Sequence, residues 1–335
     1  MASAGKALFE NAAIGAVHEV AVDTYAVNAP FWGFPNVVYF LASGGKWALI
    51  DTGVSTTPSE SIGPFLESRG GFGSLELVLG THGHVDHIGG NGWVKEHAPQ
   101  ARFALGALDT GWAEDVDRHY CQLYEYGSPG EWKPDAASEE LIRRSCGEPV
   151  AIDHPLVGGE ILTFGSGREI EAVHLGAHSP GQMLYLDATS GTAFSGDAIQ
   201  ERGIFNTESN SRDFPMYRTI PDYIRSLERV RTSAPDRLCT AHAGIFSGVE
   251  ADSFIDGALS WTAELSSLLQ AIASRLSDFS LEQIVAEVHL ARPEYAVILQ
   301  IWVTTSEHLD ELVRSGFLFP YFADKEKRWS VTRRP

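Results

Sequence analysis

The stretch Thr81-His82-Gly83-His84-Val85-Asp86-His87-Ile88-Gly89-Gly90 decides how this chain is read. Its three imidazoles and one carboxylate follow directly on the apolar run Leu75-Glu76-Leu77-Val78-Leu79, which reads as a strand. The cluster therefore stands at the C-terminal end of a strand, where sites collect in layered α/β folds. Buried imidazoles and carboxylates need partners. A metal ion is the simplest one, because neutral imidazole and carboxylate suit zinc and similar cations.

The same setting recurs elsewhere in the chain. Asp51 follows Trp47-Ala48-Leu49-Ile50, the second arm of a hairpin whose first arm is Asn36–Leu41. His178, in Gly176-Ala177-His178-Ser179-Pro180-Gly181, follows the β-rich run 169–175. Asp197 closes Phe194-Ser195-Gly196, and His242 follows the run 237–240. Five strand ends thus each deliver a residue of metal-ligand type.

In these elements the chain resembles the metallo-β-lactamase superfamily, which carries the matching motifs in the same order, here from Val37 to Gly244. The resemblance implies an α/β fold, a four-layer αβ/βα sandwich with its metals at one edge. It implies that His82, His84 and His178 hold one ion, that Asp86, His87 and His242 hold a second, and that Asp197 bridges them. Asp51 would orient the motif through hydrogen bonds. Two divalent ions are implied; zinc is favoured by the affinity order, and iron or manganese also suits an all-His/Asp set. Such a pair activates water for attack on carbon or phosphorus, with Asp86 placed to steer or accept a proton.

Departures from particular branches narrow the expectation. True β-lactamases of this fold tend to carry Cys or Ser where Asp197 stands. The flavin–di-iron branch has an acid where His84 stands. The remaining resemblance is to glyoxalase-II-like hydrolases, meaning thioesterases, lactonases and related esterases. The expected reaction is hydrolysis of an ester or thioester of a hydrophobic acyl substrate. Three alternatives remain: a lactonase, a phosphodiesterase of small substrates, and a metal-free binding or regulatory protein. Lactonases often offer a tyrosine soon after the bridging Asp, where this chain has Ala198-Ile199-Gln200. The stretch 307–316 resembles the C-terminal helix-turn of some thioesterase-like members and of an endoribonuclease-like group.

Composition sets the frame. The chain has 335 residues, 44% hydrophobic and 21% charged, enough for one large domain or a main domain with an appendage. A formal net charge of −19 disfavours nucleic acid as a partner. The cysteines, Cys121, Cys146 and Cys239, are few and far apart, so no disulfide framework is expected. The N-terminal run does not read as a signal peptide, and no apolar stretch reaches the ~18 residues of a membrane span. A cytoplasmic protein acting on a small hydrophobic molecule is expected, and a homo-oligomer is compatible with this.

A catalytic domain is expected over 1–251, with a polar, partly helical insertion at 109–154, followed by a mainly helical extension over 252–335. Helices are read at 59–69, 93–97, 223–230, 254–275, 281–289 and 306–315. Ile224, Leu227 and Val230 form the apolar face of the 223–230 helix, Ser306 caps the last helix, and a terminal hairpin turns at Asp324-Lys325. Substrate contacts are expected from Phe31, Trp32 and Phe34, between Pro30 and Pro35, as an apolar wall. Further candidates are Tyr120, Tyr124 and Tyr126 in the insertion and Phe205, Asn206 and Arg212 after Asp197. Of the twelve histidines, His174 is read as structural or as a support for the site.

Overall fold

The protein is described here by a computed structural model covering residues 12–124, 133–296 and 298–332. The first sheet begins as a meander of β1 (Val17–Ala21), β2 (Thr24–Asn28), β3 (Val37–Ser43) and β4 (Lys46–Ile50). The β-rich run from Val17 to Val27 is two strands, because Asp23 takes a φ of 51° and reverses the chain. Three parallel neighbours, β5 (Leu75–Leu79), β6 (Arg102–Gly106) and β7 (His154–Leu156), complete seven strands in the order β1 to β7. The second sheet opens with β8 (Ile161–Phe164), β9 (Arg168–His174), β10 (Met183–Asp187) and β11 (Thr192–Gly196). A small hairpin follows, β12 (Phe205–Asn206) with β13 (Ser211–Arg212), before β14 (Arg237–Thr240) and β15 (Ile245–Phe246). The resulting order is β15-β14-β11-β10-β9-β8.

Side-chain parity explains why the sheets stack. Successive residues of a strand face opposite sides. Val37, Tyr39 and Leu41 of β3 join Met183 and Tyr185 of β10, Phe194 and Cys239 in one core between the sheets. Val38 and Phe40 face the other way, onto Phe65, Leu66 and Val94 of the covering helices. Leu184 of β10 likewise turns outward, onto Tyr223, Leu227 and Val230 of the Ile220–Thr232 helix and Phe254 of the Val249–Leu276 helix. Helix, sheet, sheet and helix form the expected four layers.

Several sequence expectations shift. The helix read at 59–69 is an irregular turn, Pro58–Ile62, running into a short helix, Gly63–Glu67. Ile224 is exposed; the buried face of its helix is Tyr223, Ser226, Leu227 and Val230. The last helix starts at Leu299, not at Ser306, which lies two turns inside it. The terminal hairpin does turn at Asp324-Lys325, both with positive φ, joining β17 (Phe319–Ala323) to β18 (Glu326–Ser330). β16 (Asp278–Ser280) pairs with β18, so the C-terminal region carries a three-stranded sheet besides its helices. Ser280 and Gln283 close a capping box on the Leu281–Ala291 helix.

His308 ties that region to the second layer. Its ring is buried, with Nε2 2.7 Å from the Tyr217 hydroxyl and Nδ1 2.9 Å from the Ser266 hydroxyl. Burial pushes its pKa down to about 3. The unfolded chain, titrating near 6.5, therefore binds a proton that the folded chain refuses, and stability falls as the pH drops from about 6.5 to about 3. His308→Asn should flatten the urea-derived stability profile in that window by up to about 1.4 kcal/mol per pH unit. An unchanged slope would refute this assignment.

Candidate metal centre

The candidate ligands converge because each lies just past the end of a strand in one of two facing sheets. Thr81 to His84 form the turn after β5, and Asp86 and His87 lie on the short helix Val85–Ile88. Asp51 follows β4, His178 lies between β9 and β10, Asp197 follows β11 and His242 follows β14. All seven candidate ligands are brought to one edge of the sandwich in two adjacent groups. One group is His82, His84 and His178; the other is Asp86, His87, Asp197 and His242; within each, the candidate ligand atoms lie within 4.8 Å of one another.

Three of the five rings are aimed by a contact on their other side. His178 Nδ1 is 2.8 Å from the Met216 carbonyl, His242 Nδ1 is 2.6 Å from the Pro35 carbonyl, and His87 Nδ1 is 2.8 Å from Asp51 Oδ2. Their Nε2 atoms therefore face the site, the pattern expected when a supporting group fixes a ligand's tautomer. Asp51 also accepts from the Thr81 amide at 2.7 Å and the Thr81 hydroxyl at 2.9 Å. These bonds hold Asp51 at a φ of 60°, a left-handed conformation uncommon outside glycine. Asp197 faces both groups: Oδ1 lies 3.1 Å from His242 Nε2 and 3.4 Å from His87 Nε2, and Oδ2 lies 3.6 Å from His178 Nε2. Gln200, unremarked in the sequence, donates to Asp197 Oδ2 at 2.9 Å.

The donor set fits metal ions. Among the described residues, His82 Nε2, His87 Nε2, His242 Nε2 and Asp197 Oδ1 are buried with no hydrogen-bond partner. Asp197 Oδ1 and His242 Nε2 meet only as a 3.1 Å ionic contact, and four such atoms spread over two adjacent groups call for groups that complete them. Burial, reinforced by neighbouring histidines, pushes His82 and His84 well below the usual imidazole range, and burial lowers His178. These three rings are neutral lone-pair donors. Burial also works against charge on His87 and His242. There, Asp86, Asp51 and Asp197 outweigh it at His87, holding it well above its ordinary value, and Asp197 and Asp86 push His242 up to about 10. Burial likewise opposes charge on the carboxylates, yet His87 and His242 keep Asp86 and Asp197 well below the usual range. A divalent cation bound there would supply positive charge to the two carboxylates and accept the Nε2 lone pairs of the two imidazoles.

A cavity of about 350 Å³ opens onto His84, Asp86, His178, Asp197 and His242. Phe31, Trp32, Phe34 and Tyr124 line it, as do Leu141, Ile142, Phe214, Leu299, Val303 and Glu307. Phe31 stands 6.1 Å from the His242 ring, centroid to centroid. Phe205 and Arg212 line a different cavity of about 610 Å³ on the far flank of Asp197 and His242. Asn206 is turned to the aromatic loop, donating to the Trp32 carbonyl at 2.8 Å. Tyr120 is buried, His174 meets the Pro180 carbonyl at 2.8 Å, and Tyr126 falls outside the described residues.

A helix–sheet–sheet–helix sandwich with paired His/Asp groups able to hold two metal ions at one edge is a metal-site scaffold of defined type. A family model for the metallo-beta-lactamase superfamily matches residues 31–242, and the chain belongs to that superfamily. Among curated proteins it is 26% identical over 210 residues to the beta-lactamase-like protein 2 homolog of Drosophila melanogaster, covering 62% of this chain and 58% of that one. It is 27% identical over 157 residues to hydroxyacylglutathione hydrolase GloC of Haemophilus influenzae, covering 46% and 62%. It is also 27% identical over 158 residues to acyl-coenzyme A thioesterase MBLAC2 of Gallus gallus, covering 46% and 50%. The chain thus spans between half and two thirds of the length of these relatives. A metallo-beta-lactamase family protein from Thermus thermophilus shares the fold with a TM-score of 0.72 at 18% identity, covering 93% of this chain and all of that one. No helix among the described residues is long and apolar enough to cross a membrane.

Proposed function

We propose that the protein is a metal-dependent hydrolase that cleaves an ester or thioester of a hydrophobic acyl substrate. The observation that carries this reading is the largely apolar cavity that ends on His84, Asp86, His178, Asp197 and His242. Its volume lies at the lower end of the range for small-molecule sites. Relatives named as a hydroxyacylglutathione hydrolase and an acyl-coenzyme A thioesterase support the same class of bond.

In this reading His82, His84 and His178 would hold one divalent ion and Asp86, His87 and His242 a second, with Asp197 facing both groups. Zinc, iron and manganese all suit the donors. When bound, the ions supply Lewis acidity and lower the pKa of a water toward neutrality. The chain does the rest. Phe31, Trp32 and Phe34 exclude solvent from one side of the cavity, and Leu141, Ile142 and Val303 seat the acyl chain. Gln200 fixes the Asp197 carboxylate. Asp86, 3.2 Å from His242 Nε2, is placed to take and pass on the proton lost by the attacking water.

Purified protein should contain about two metal equivalents and turn over p-nitrophenyl acyl esters or acyl thioesters faster than bis-p-nitrophenyl phosphate. Turnover of the phosphodiester alone would overturn the bond assignment. Val303→Trp should fill the acyl end of the cavity. Excluding four methylenes removes about 3 kcal/mol at ~0.8 kcal/mol each, so kcat/KM for an octanoyl ester should fall on the order of 100-fold while the acetyl ester is nearly unaffected. Equal losses on both esters would contradict this placement of the chain.

A further inference from the structure

Asp109 sits outside every sequence motif, yet it is fully buried beside the centre. Its Oδ2 accepts from the Gly83 amide at 2.9 Å and from the Ser179 hydroxyl at 2.5 Å, and its Oδ1 accepts from the Gly181 amide at 2.7 Å. Gly83 separates His82 from His84, and Ser179 and Gly181 follow His178. One carboxylate therefore ties together the two loops that supply all three members of the first histidine group. It touches no member of the second group through any of these bonds.

Two glycines mark how closely the brace fits. A Cβ on Gly83 would stand 2.9 Å from Asp109 Cβ and 2.6 Å from the Trp112 ring; a Cβ on Gly181 would stand 2.6 Å from Asp109 Cγ. Neither glycine has a positive φ, so Gly181 is explained by the approach of Asp109, and Gly83 by that of Trp112 and Asp109 together, rather than by backbone conformation. Asp51 instead reaches both groups: it touches the His87 ring directly, and it holds the amide and hydroxyl of Thr81, whose hydroxyl lies 3.2 Å from His82 Nδ1.

We propose that Asp109 is the positioning residue of the His82–His84–His178 group alone, so that its removal loosens metal in one half of the centre and spares the other. This rests on the reading that both groups bind metal. An asparagine at position 109 keeps the shape but must present a donor to one of the three donors that Asp109 now accepts. The mismatch falls on the loop backbone that sets the spacing of the rings. Supporting groups of this kind are worth roughly 10–100-fold in metal affinity.

The test compares metal content and chelator titration of the wild type, Asp109→Asn and Asp51→Asn after loading with zinc alone, with cobalt spectra as a second readout. Asp109→Asn should retain one tight equivalent, weaken the other by roughly 10–100-fold and change the cobalt absorption of one ion only. Asp51→Asn should weaken both equivalents. Ser179→Ala, which removes one of the three donors without disturbing a strand, should shift the same equivalent as Asp109→Asn but less, and it serves if Asp109→Asn does not fold. Unchanged affinities, or equal weakening of both equivalents by Asp109→Asn, would overturn the proposal. A wild type without metal would instead overturn the functional reading beneath it.

Discussion

Asp197→Ala is expected to lower kcat/KM on a p-nitrophenyl acyl ester by about 10⁴-fold, the scale seen when one member of an interdependent catalytic set is removed. Asp197 is the side chain that faces both groups, with Oδ1 toward His87 and His242 and Oδ2 toward His178. Its loss leaves the raised imidazoles of His87 and His242 with one fewer carboxylate and separates the two halves of the centre. Metal content should fall below two equivalents. The fold should survive, because Asp197 lies beyond the end of β11 and outside the core between the sheets. The check is steady-state kinetics with metal analysis and far-ultraviolet circular dichroism. Activity within tenfold of the wild type, with two equivalents retained, would remove Asp197 from the mechanism.

The second large effect concerns stability. Arg168→Ala should cost about 3–5 kcal/mol, the penalty for stripping the partner from a buried charge. Arg168 and Asp187 are both buried and form an ion pair through Arg168 Nη2 and Nε, the latter 3.2 Å from Asp187 Oδ1. The guanidinium also donates to the Asp23 carbonyl at 2.8 Å, the Ala42 carbonyl at 2.9 Å and the Thr24 hydroxyl at 2.8 Å. It thus joins β9 and β10 of one sheet to the β1–β2 turn and β3 of the other. Without it, the buried Asp187 carboxylate keeps the Thr189 amide and the Ser190 hydroxyl as donors but loses its counter-ion. Urea titration measures the loss, and a change under about 1 kcal/mol would show that water reaches the cluster. Replacing both partners by apolar residues should cost less than replacing either alone, since no charge is then stranded.

The candidate site was legible in the sequence where its residues are consecutive or strand-terminal. His82 to His87 announce themselves, and Asp51, His178, Asp197 and His242 share the signature of a ligand-type residue after an apolar run. The four layers were legible through the superfamily resemblance that these motifs carry. What escaped depends on contacts between distant segments. Asp109 meets Gly83 and Gly181 only after the chain has folded, and nothing in its neighbourhood distinguishes it from a helix-capping acid. Arg168 and Asp187 carry no sequence signal, since they pair only where two sheets meet. Asn206 is drawn from the expected substrate wall into holding the Trp32 loop. Leu299-Gln300-Ile301-Trp302-Val303 is helical although its β-branched and aromatic content favours a strand, because Ile301, Trp302 and Leu309 bury one face in the C-terminal core. That packing moves the helix start upstream of Ser306.

The same helix shows how such a protein can diversify. Leu299, Val303 and Glu307 recur every four residues and border the cavity, while Ile301, Trp302 and Leu309 belong to the packed C-terminal cluster. One stripe borders the cavity and the other belongs to the fold, and neither supplies a candidate ligand. Substitution at those three positions can therefore reshape the cavity while leaving the candidate metal ligands untouched.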